Sequence, residues 1–289
     1  MAMAVAPGDD AAVLEDGTAI TADTLIEGVH FDEGLSPSDL GWKVVAVSAS
    51  DLGAMGATPT WMLLCLSIPA STAPSWIDAF SAGLSQAAAF FSISLIGGDT
   101  TGSPGPCVAT VTMGGKCISG PVRRSGAHVG DLLWVTGRLG LAGAGWMLDA
   151  PPQEALARLR HPVPPVEFGI ALARERLATA MMDLSDGLAA DLPRLCKASG
   201  CGAVVSPDGL PVPAALADHP DAMRLMTSGG EDYELLFTSS VAAEAAIRAL
   251  AASEEVDVSV IGTMTQEPDL RLGDHDWPSP AFSHFGLSR

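Results

Sequence analysis

Aspartates stand at the tips of apolar runs along this chain, and that placement restricts what it can fold into. Asp9 and Asp10 occur in PGDDAAVL, Asp23 in ITADTLIEGVHF, Asp99 in LIGGDTT, and Asp183 and Asp186 in MMDLSDGL. Each one alone is an ordinary turn or cap residue. Together they pose a physical problem. A carboxylate set into an apolar segment costs free energy to desolvate, and clustered like charges repel unless a cation compensates them. The candidate ligands are carboxylate and carbonyl oxygens, with no Cys/His ligand spacing, no HExxH and no calcium-binding loop series, which favours magnesium over zinc or calcium. Magnesium usually binds through one or two carboxylates plus phosphate oxygens, so several such ions would make an acidic cleft into a phosphate site.

The charge balance points the same way. With 34 acids against 15 bases and a formal charge of -19, nucleic acid and anionic membranes are excluded as partners, because phosphate backbones bind to basic surfaces. An acidic protein that handles phosphate needs another source of positive charge, and metal ions supply it. Only three lysines occur (Lys43, Lys116, Lys197), and none follows a P-loop or a kinase-type glycine loop. GGDTTGSPG and TSGGEDYEL are the remaining glycine-rich stretches where backbone amides could approach phosphates, and Arg123 and Arg124 are the best fixed cations.

The 289 residues suit two domains at roughly 150 residues each, and 48% apolar with 17% charged residues excludes a disordered chain. Two short strands are expected around the turn Glu15-Asp16-Gly17, the second ending at Asp23, then a helix over 36–56 that carries Asp51. A strand over 61–68, a helix over 75–91, a strand leading to a loop at 97–105 and a strand over 107–115 complete the first unit. The boundary is expected near 116–122, giving units 1–118 and 119–289. The second unit alternates helices (141–149, 153–160, 166–178, 187–198, 241–252) with strands (132–136, 203–206, 233–238, 256–261). The first half is strand-rich without a crossover helix after each strand, so the fold class is α+β and not a doubly wound sheet. SASDLG at 48–53 echoes DLSDGL at 183–188, and GGDT at 97 echoes GGED at 229, as two halves of related topology would. The five cysteines are odd in number, form no CxxC pair and lie mostly in apolar runs, which predicts reduced, buried thiols in a cytoplasmic protein. No apolar run reaches membrane-spanning length, and MAMAVAP lacks a charged leader region.

In order, GDDAAVL, ITADTLIEGVHF, SASDLGAMGATP, LIGGDTT, RRSGAHVGD, MDLSDGLAADL and SGGEDYELLFT resemble the thiamine-monophosphate kinase family over nearly the whole chain. GGDTT and SDGL are shared with the wider superfamily similar to aminoimidazole ribonucleotide synthetase; DTLIEGVHF with SGGEDYELLFT is specific to the kinases. The resemblance implies two domains, a homodimer paired through its N-terminal sheets, and ATP in the cleft between domains. It implies magnesium ligands at Asp10, Thr21, Ala22 (through its carbonyl), Asp23, Asp51, Asp99, Asp183 and Asp186. ATP would meet Gly98, Asp99, Arg124 and Ser185. Thiamine monophosphate would meet His30, Glu231 and Phe282, and catalysis would rest on Asp23, Asp51, Asp99 and Arg124. Two departures stand out: the family carries a further segment ahead of the first aspartate pair, so a shortened start is expected, and Ala22 replaces a frequent threonine, which leaves only a backbone role.

The implied reaction moves the γ-phosphoryl group of ATP to a phosphate oxygen. Such an oxygen is largely ionised at neutral pH, with a second ionisation near pH ~6, so no general base is required. A site rich in Asp and poor in Lys and His is consistent with that. The alternatives are a sister ATP-dependent synthetase of the superfamily and a non-catalytic metal-binding protein. A selenophosphate synthetase is disfavoured, since no cysteine precedes Cys65.

Overall fold

The apolar runs of the first half assemble into one six-stranded sheet and those of the second half into a seven-stranded sheet, in a computed structural model that describes residues 2–281. The first comprises β1 (Met3–Val5), β2 (Ala12–Leu14), β3 (Thr18–Ile26), β4 (Thr58–Pro69), β5 (Ser94–Ser103) and β6 (Val108–Lys116). Their order is β1-β2-β3-β6-β4-β5, with β4 and β5 parallel and the other neighbours antiparallel. Side chains alternate across it: Ala19, Thr21 and Leu25 on β3, and Ala109, Val111 and Met113 on β6, are buried. The covering elements are α1 (Pro37–Ala54) and α2 (Pro74–Phe90). Ser36 caps α1, its hydroxyl accepting the Asp39 N–H at 3.1 Å, and Pro37 occupies the first turn, where a missing N–H does no harm. Apolar almost all round, α1 is buried between the sheet, α2 and the second domain.

The second sheet comprises β7 (Leu132–Thr136), β8 (Ala180–Asp183), β9 (Gly202–Val205), β10 (Leu235–Ser239), β11 (Val258–Thr265), β12 (Leu270–Leu272) and β13 (His275–Asp276), in the order β13-β12-β9-β11-β7-β10-β8. Only β12 and β9 pair in parallel, so both sheets are mixed and the architecture is two-domain α+β. This sheet is covered on both faces, which explains its continuous apolar strands. Leu133, Val135, Met182 and Leu236 share a core with Leu188, Leu192 and Leu195 of α6 (Leu188–Ser199). Trp134, Met181, Leu235 and Phe237 share another with Phe168 and Leu172 of α5 (Val166–Arg174) and Ile247 of α8 (Glu244–Ser253). Shorter helices α3 (Leu141–Met147), α4 (Gln153–Arg160) and α7 (Ala222–Ser228) complete the domain.

The domains meet where α5 crosses α1. A Cβ on Gly169 would fall 2.2 Å from the Gly53 carbonyl oxygen, so only glycine permits that approach. Beside it the Trp42 ring stacks on His161 with centroids 3.7 Å apart, and its Nε1 donates to the Pro162 carbonyl at 2.7 Å. The crossing fixes α1, which carries Asp51, relative to β8, which ends in Asp183.

Several expectations need correction. The second strand continues past Asp23 to Ile26, because β6 offers partners out to Val108. GGDTTGSPG is mostly strand and not loop: parallel pairing with β4 keeps β5 extended, since a backbone ladder needs no side chains. The helix expected over 166–178 ends at Arg174, where Arg176 turns left-handed (φ 54°) and the Leu177 N–H bonds back to Leu172. The 241–252 helix begins as a 3-10 turn, and β8 and α7 were not anticipated. Cys65 is exposed, while the other four thiols are buried. The echoing motifs take different local structures, since Asp51 lies within a helix and Asp183 at a strand end. Among the described residues no helix is long and apolar enough to cross a membrane.

Candidate active site

Asp10 precedes β2, Asp51 projects from the last turns of α1, and Asp183 closes β8, yet a carboxylate oxygen from each lies within 4.8 Å of the others. Neighbours hold each in place. Arg124 donates from Nη2 to Asp10 Oδ1 at 2.6 Å, and its backbone N–H donates to Asp9 Oδ1 at 3.1 Å. The buried Ser50 hydroxyl donates to Asp183 Oδ2 at 2.7 Å, and the Thr21 hydroxyl donates to Asp51. Asp23, on β3 beside Thr21, joins the same group electrostatically.

Burial is the main influence on all four acids. It raises Asp10 to about 6 against the opposing pull of Arg124. Asp51 is pushed well above the carboxylate range by burial and by the charges of Asp23, Asp183 and Asp10. Asp183 is likewise raised well, by burial and then by Asp10, and Asp23 is raised by burial. Among the described residues, Asp10 Oδ2, Asp23 Oδ2 and Ser48 Oγ are buried without a hydrogen-bond partner. Unmet buried oxygens of this kind call for an explanation such as an ion. The donors are all oxygen, which suits a hard divalent cation of the magnesium type.

Asp23, Asp51 and Asp183 of this group line a cleft of about 480 Å³ between the domains, walled also by Ile26, His30, Trp146, Ser185, Asp186, Glu231 and Tyr233. His30 accepts the Ile26 N–H at Nδ1, 3.1 Å away. Asp186 stands outside the three-oxygen group, with Arg194 Nη2 donating to it at 2.6 Å and its own N–H donating to Asp191 at 3.0 Å. Burial raises Asp191 to about 7. The turn 229–233 is tied to the end of β8, because the Glu231 N–H donates to Ser185 O and the Tyr233 N–H to Leu184 O, both at 2.8 Å.

Of the residues expected from sequence, Ala22, Asp23, His30, Asp51, Asp183, Ser185, Asp186 and Glu231 line this cleft, and Asp10, Thr21 and Arg124 touch its acids. Gly98 and Asp99 do not. They lie on the exposed edge strand β5, and the row Asp23, Val111, Leu64, Gly98 spans three strand spacings. At ~4.8 Å per spacing that separation is about 14 Å. Gly98 is required where it stands, since a Cβ there would meet the Leu64 carbonyl oxygen at 1.8 Å. Phe282 lies outside the described residues. Sequence reasoning missed Ser48 and Ser50, which interrupt an otherwise apolar helix, and Lys43, which pairs with Glu231.

Comparison with known proteins places the chain in a family. Residues 8–117 match the family model described as AIR synthase related protein, N-terminal domain, and residues 128–275 match its C-terminal domain. The thiamine-monophosphate kinase of Salmonella typhimurium is 42% identical over 80% of this chain and 75% of its own length. That of Escherichia coli K12 is 39% identical over 90% and 84%. A structure described as AaThiL complexed with AMPPCP and TMP superposes with a TM-score of 0.85 at 27% identity, covering 96% of this chain and 91% of that one. With two curated relatives this similar over most of their length, the chain belongs to the thiamine-monophosphate kinase family of AIR synthase-related proteins.

Proposed function

We propose that this protein transfers the γ-phosphoryl group of ATP directly to thiamine monophosphate, giving ADP and thiamine diphosphate. The observation that carries the reading is the meeting of Asp10, Asp51 and Asp183, from three distant stretches, with buried carboxylate oxygens beside them left unmet. Relatives named for this activity cover most of the chain, and one was captured with AMPPCP and TMP.

Asp10, Thr21, the Ala22 carbonyl, Asp23, Asp51, Asp183 and Asp186 would hold several magnesium ions, whose chemistry is to neutralise the two polyanions and the charge on the transferring group. The protein's own part is positioning. Asp10 is fixed by Arg124, Asp183 by Ser50 and Asp51 by Thr21, so the acids are preorganised by their neighbours. Arg124 and Ser185 border the phosphates of ATP, while His30, Glu231 and Phe282 take the thiamine end. The ring of thiamine carries a fixed positive charge, which suits an aromatic face and a carboxylate. An acceptor phosphate already ionised at neutral pH needs no base, and the clustered group among the described residues consists of aspartates.

The same reading includes a homodimer paired through the N-terminal sheets. β5 is an exposed edge strand bearing Leu95 and Ile96, 48% and 61% exposed, the kind of edge that a second copy covers. Pairing there gives Gly98 and Asp99 a place at a site built across two copies. The division at 1–118 and 119–289 and a cytoplasmic setting with reduced thiols complete the reading.

Incubation with ATP, magnesium and thiamine monophosphate, followed by mass detection, tests it. Thiamine diphosphate with equimolar ADP is expected. ADP release that does not depend on thiamine monophosphate, or no ADP at all, would contradict it.

A further inference from the structure

We propose that Lys43 is a positioning residue for thiamine monophosphate that acts through Glu231; this rests on the proposed function and on Glu231 as a substrate contact. Lys43 lies in the middle of α1, in LGWKVVAV, and is only 1% exposed. A lysine is almost never so buried unless paired. Its Nζ stands 2.6 Å from Glu231 Oε2, so the ion pair ties α1 of the first domain to the 229–233 turn of the second.

That turn has a backbone that side-chain-bearing residues avoid. Glu231 has φ 65° and Tyr233 φ 49°, both left-handed, and such conformations persist only where the surroundings enforce them. The bonds from Glu231 N–H to Ser185 O and from Tyr233 N–H to Leu184 O enforce the main chain. Lys43 enforces the side chain. Glu231 Oε2 is engaged by Lys43 and, at 3.5 Å, by the Tyr233 hydroxyl, whereas no hydrogen bond to Oε1 is made among the described residues. Glu231 lines the cleft beside Asp23, Asp51, Asp183 and Asp186. A carboxylate at that rim, left without its ammonium, could swing toward a cation bound by those acids. Lys43 thus holds one oxygen back and presents the other to the substrate. Glu231 lines this cleft, and Lys43 borders a second cavity of about 650 Å³ that shares His30, Trp146 and Gly229 with it.

Steady-state kinetics of the full-length protein, with calorimetric binding of thiamine monophosphate in magnesium without ATP, test the assignment. A charge-assisted hydrogen bond of this kind predicts that Lys43→Met raises KM and Kd for thiamine monophosphate about tenfold, with the KM for ATP changed less than about twofold. Lys43→Arg should recover most of the loss, and Lys43→Met added to Glu231→Gln should be no worse than Glu231→Gln alone. A merely structural lysine would raise both KM values together and give additive losses, and either result overturns the inference. Should the methionine variant fail to fold, Lys43→Gln is held to the same criteria, and Glu231→Gln must by itself raise the KM for thiamine monophosphate selectively or the inference falls. Wild-type protein that forms no thiamine diphosphate would overturn the proposed function; normal wild-type turnover with unchanged constants in the variants would overturn this inference alone.

Discussion

Asp232 and Glu234 of the second domain are, like the acids of the cleft, carboxylates raised by burial, and the two surroundings differ in one respect. In the second domain, Asp232 accepts the Gly140 N–H with both oxygens, at 3.0 and 2.9 Å, while Glu234 receives the Thr136 hydroxyl at 2.6 Å and Arg158 on its other oxygen. In the cleft, Asp10 and Asp23 each keep a buried oxygen without a partner, and Asp51 faces three other acids. Burial raises the acids in both places, Asp232 to about 8 and Asp51 well above the usual range. A raised pKa therefore does not distinguish a site from a structural network. Unmet oxygen does, because a buried acceptor is left so only where something else satisfies it.

The sharpest way to break this comparison is substitution at the cleft. Asp51→Asn and Asp183→Asn should each lower turnover by about 10³-fold, a typical loss for removing electrostatic stabilisation of a transition state. Denaturant midpoints should hold or rise, since the change relieves repulsion. Wild-type turnover in either variant at matched magnesium would return these acids to the structural class. The second group should behave in the opposite way. Glu234→Ala leaves Arg158 and Thr136 without their partner and should lower stability by about 3 kcal/mol in urea unfolding, with turnover of the folded protein changed only a few-fold. An unchanged midpoint would remove the distinction from that side.

Much of the cleft was legible in the sequence for the reason that makes it chemically useful. Asp10, Asp23, Asp51, Asp183 and Asp186 interrupt apolar segments, and such interruptions are costly unless they serve a purpose. The partners that hold those acids were less visible. Ser50, which holds Asp183, is a small polar residue in a helix, and which face of α1 meets β8 is decided by its crossing with α5 through Gly53 and Gly169. Asp99 illustrates the same limit. Its motif was plain, but strand order is a tertiary property, and β5 lands at the sheet edge beyond β6 and β4. Cys65 sits in an apolar run that reads as buried, yet the outer face of β4 has nothing of the described chain over it at that position. Elements bounded by proline or a capping serine were located closely, such as α1 and α4, whereas the short strand β8 carried no turn signal of its own.

A smaller effect separates the groups by pH. An acid whose folded pKa lies above its unfolded value binds protons more tightly when folded, so its contribution to stability falls as pH rises toward the folded pKa. Asp10 at about 6 and Asp232 at about 8 both have that sign, while Asp16, lowered to about 2 chiefly by hydrogen bonds from Thr18, does not titrate in this range. The melting temperature of metal-free protein should therefore fall as pH rises above the ordinary carboxylate range, the Asp10 share being lost by about pH 6 and the Asp232 share by about pH 8. Magnesium should restore the share belonging to the cleft and leave that of Asp232. A melting temperature that climbs with pH in chelator would contradict both assignments. The smallest effect belongs to the exposed Lys116–Asp16 pair, 3.0 Å apart, where Lys116→Met should leave the melting temperature unchanged within error. A measurable loss there would show that exposure is a poor guide in this chain.

The central claim is that Asp10, Asp51 and Asp183 jointly bind a divalent ion that works on phosphate. Anomalous diffraction from crystals grown with manganese and a non-hydrolysable ATP analogue addresses it directly. Peaks bridging those three carboxylates and the analogue's phosphates are the predicted result; manganese bound elsewhere, with the three carboxylates touching only protein and water, would contradict it.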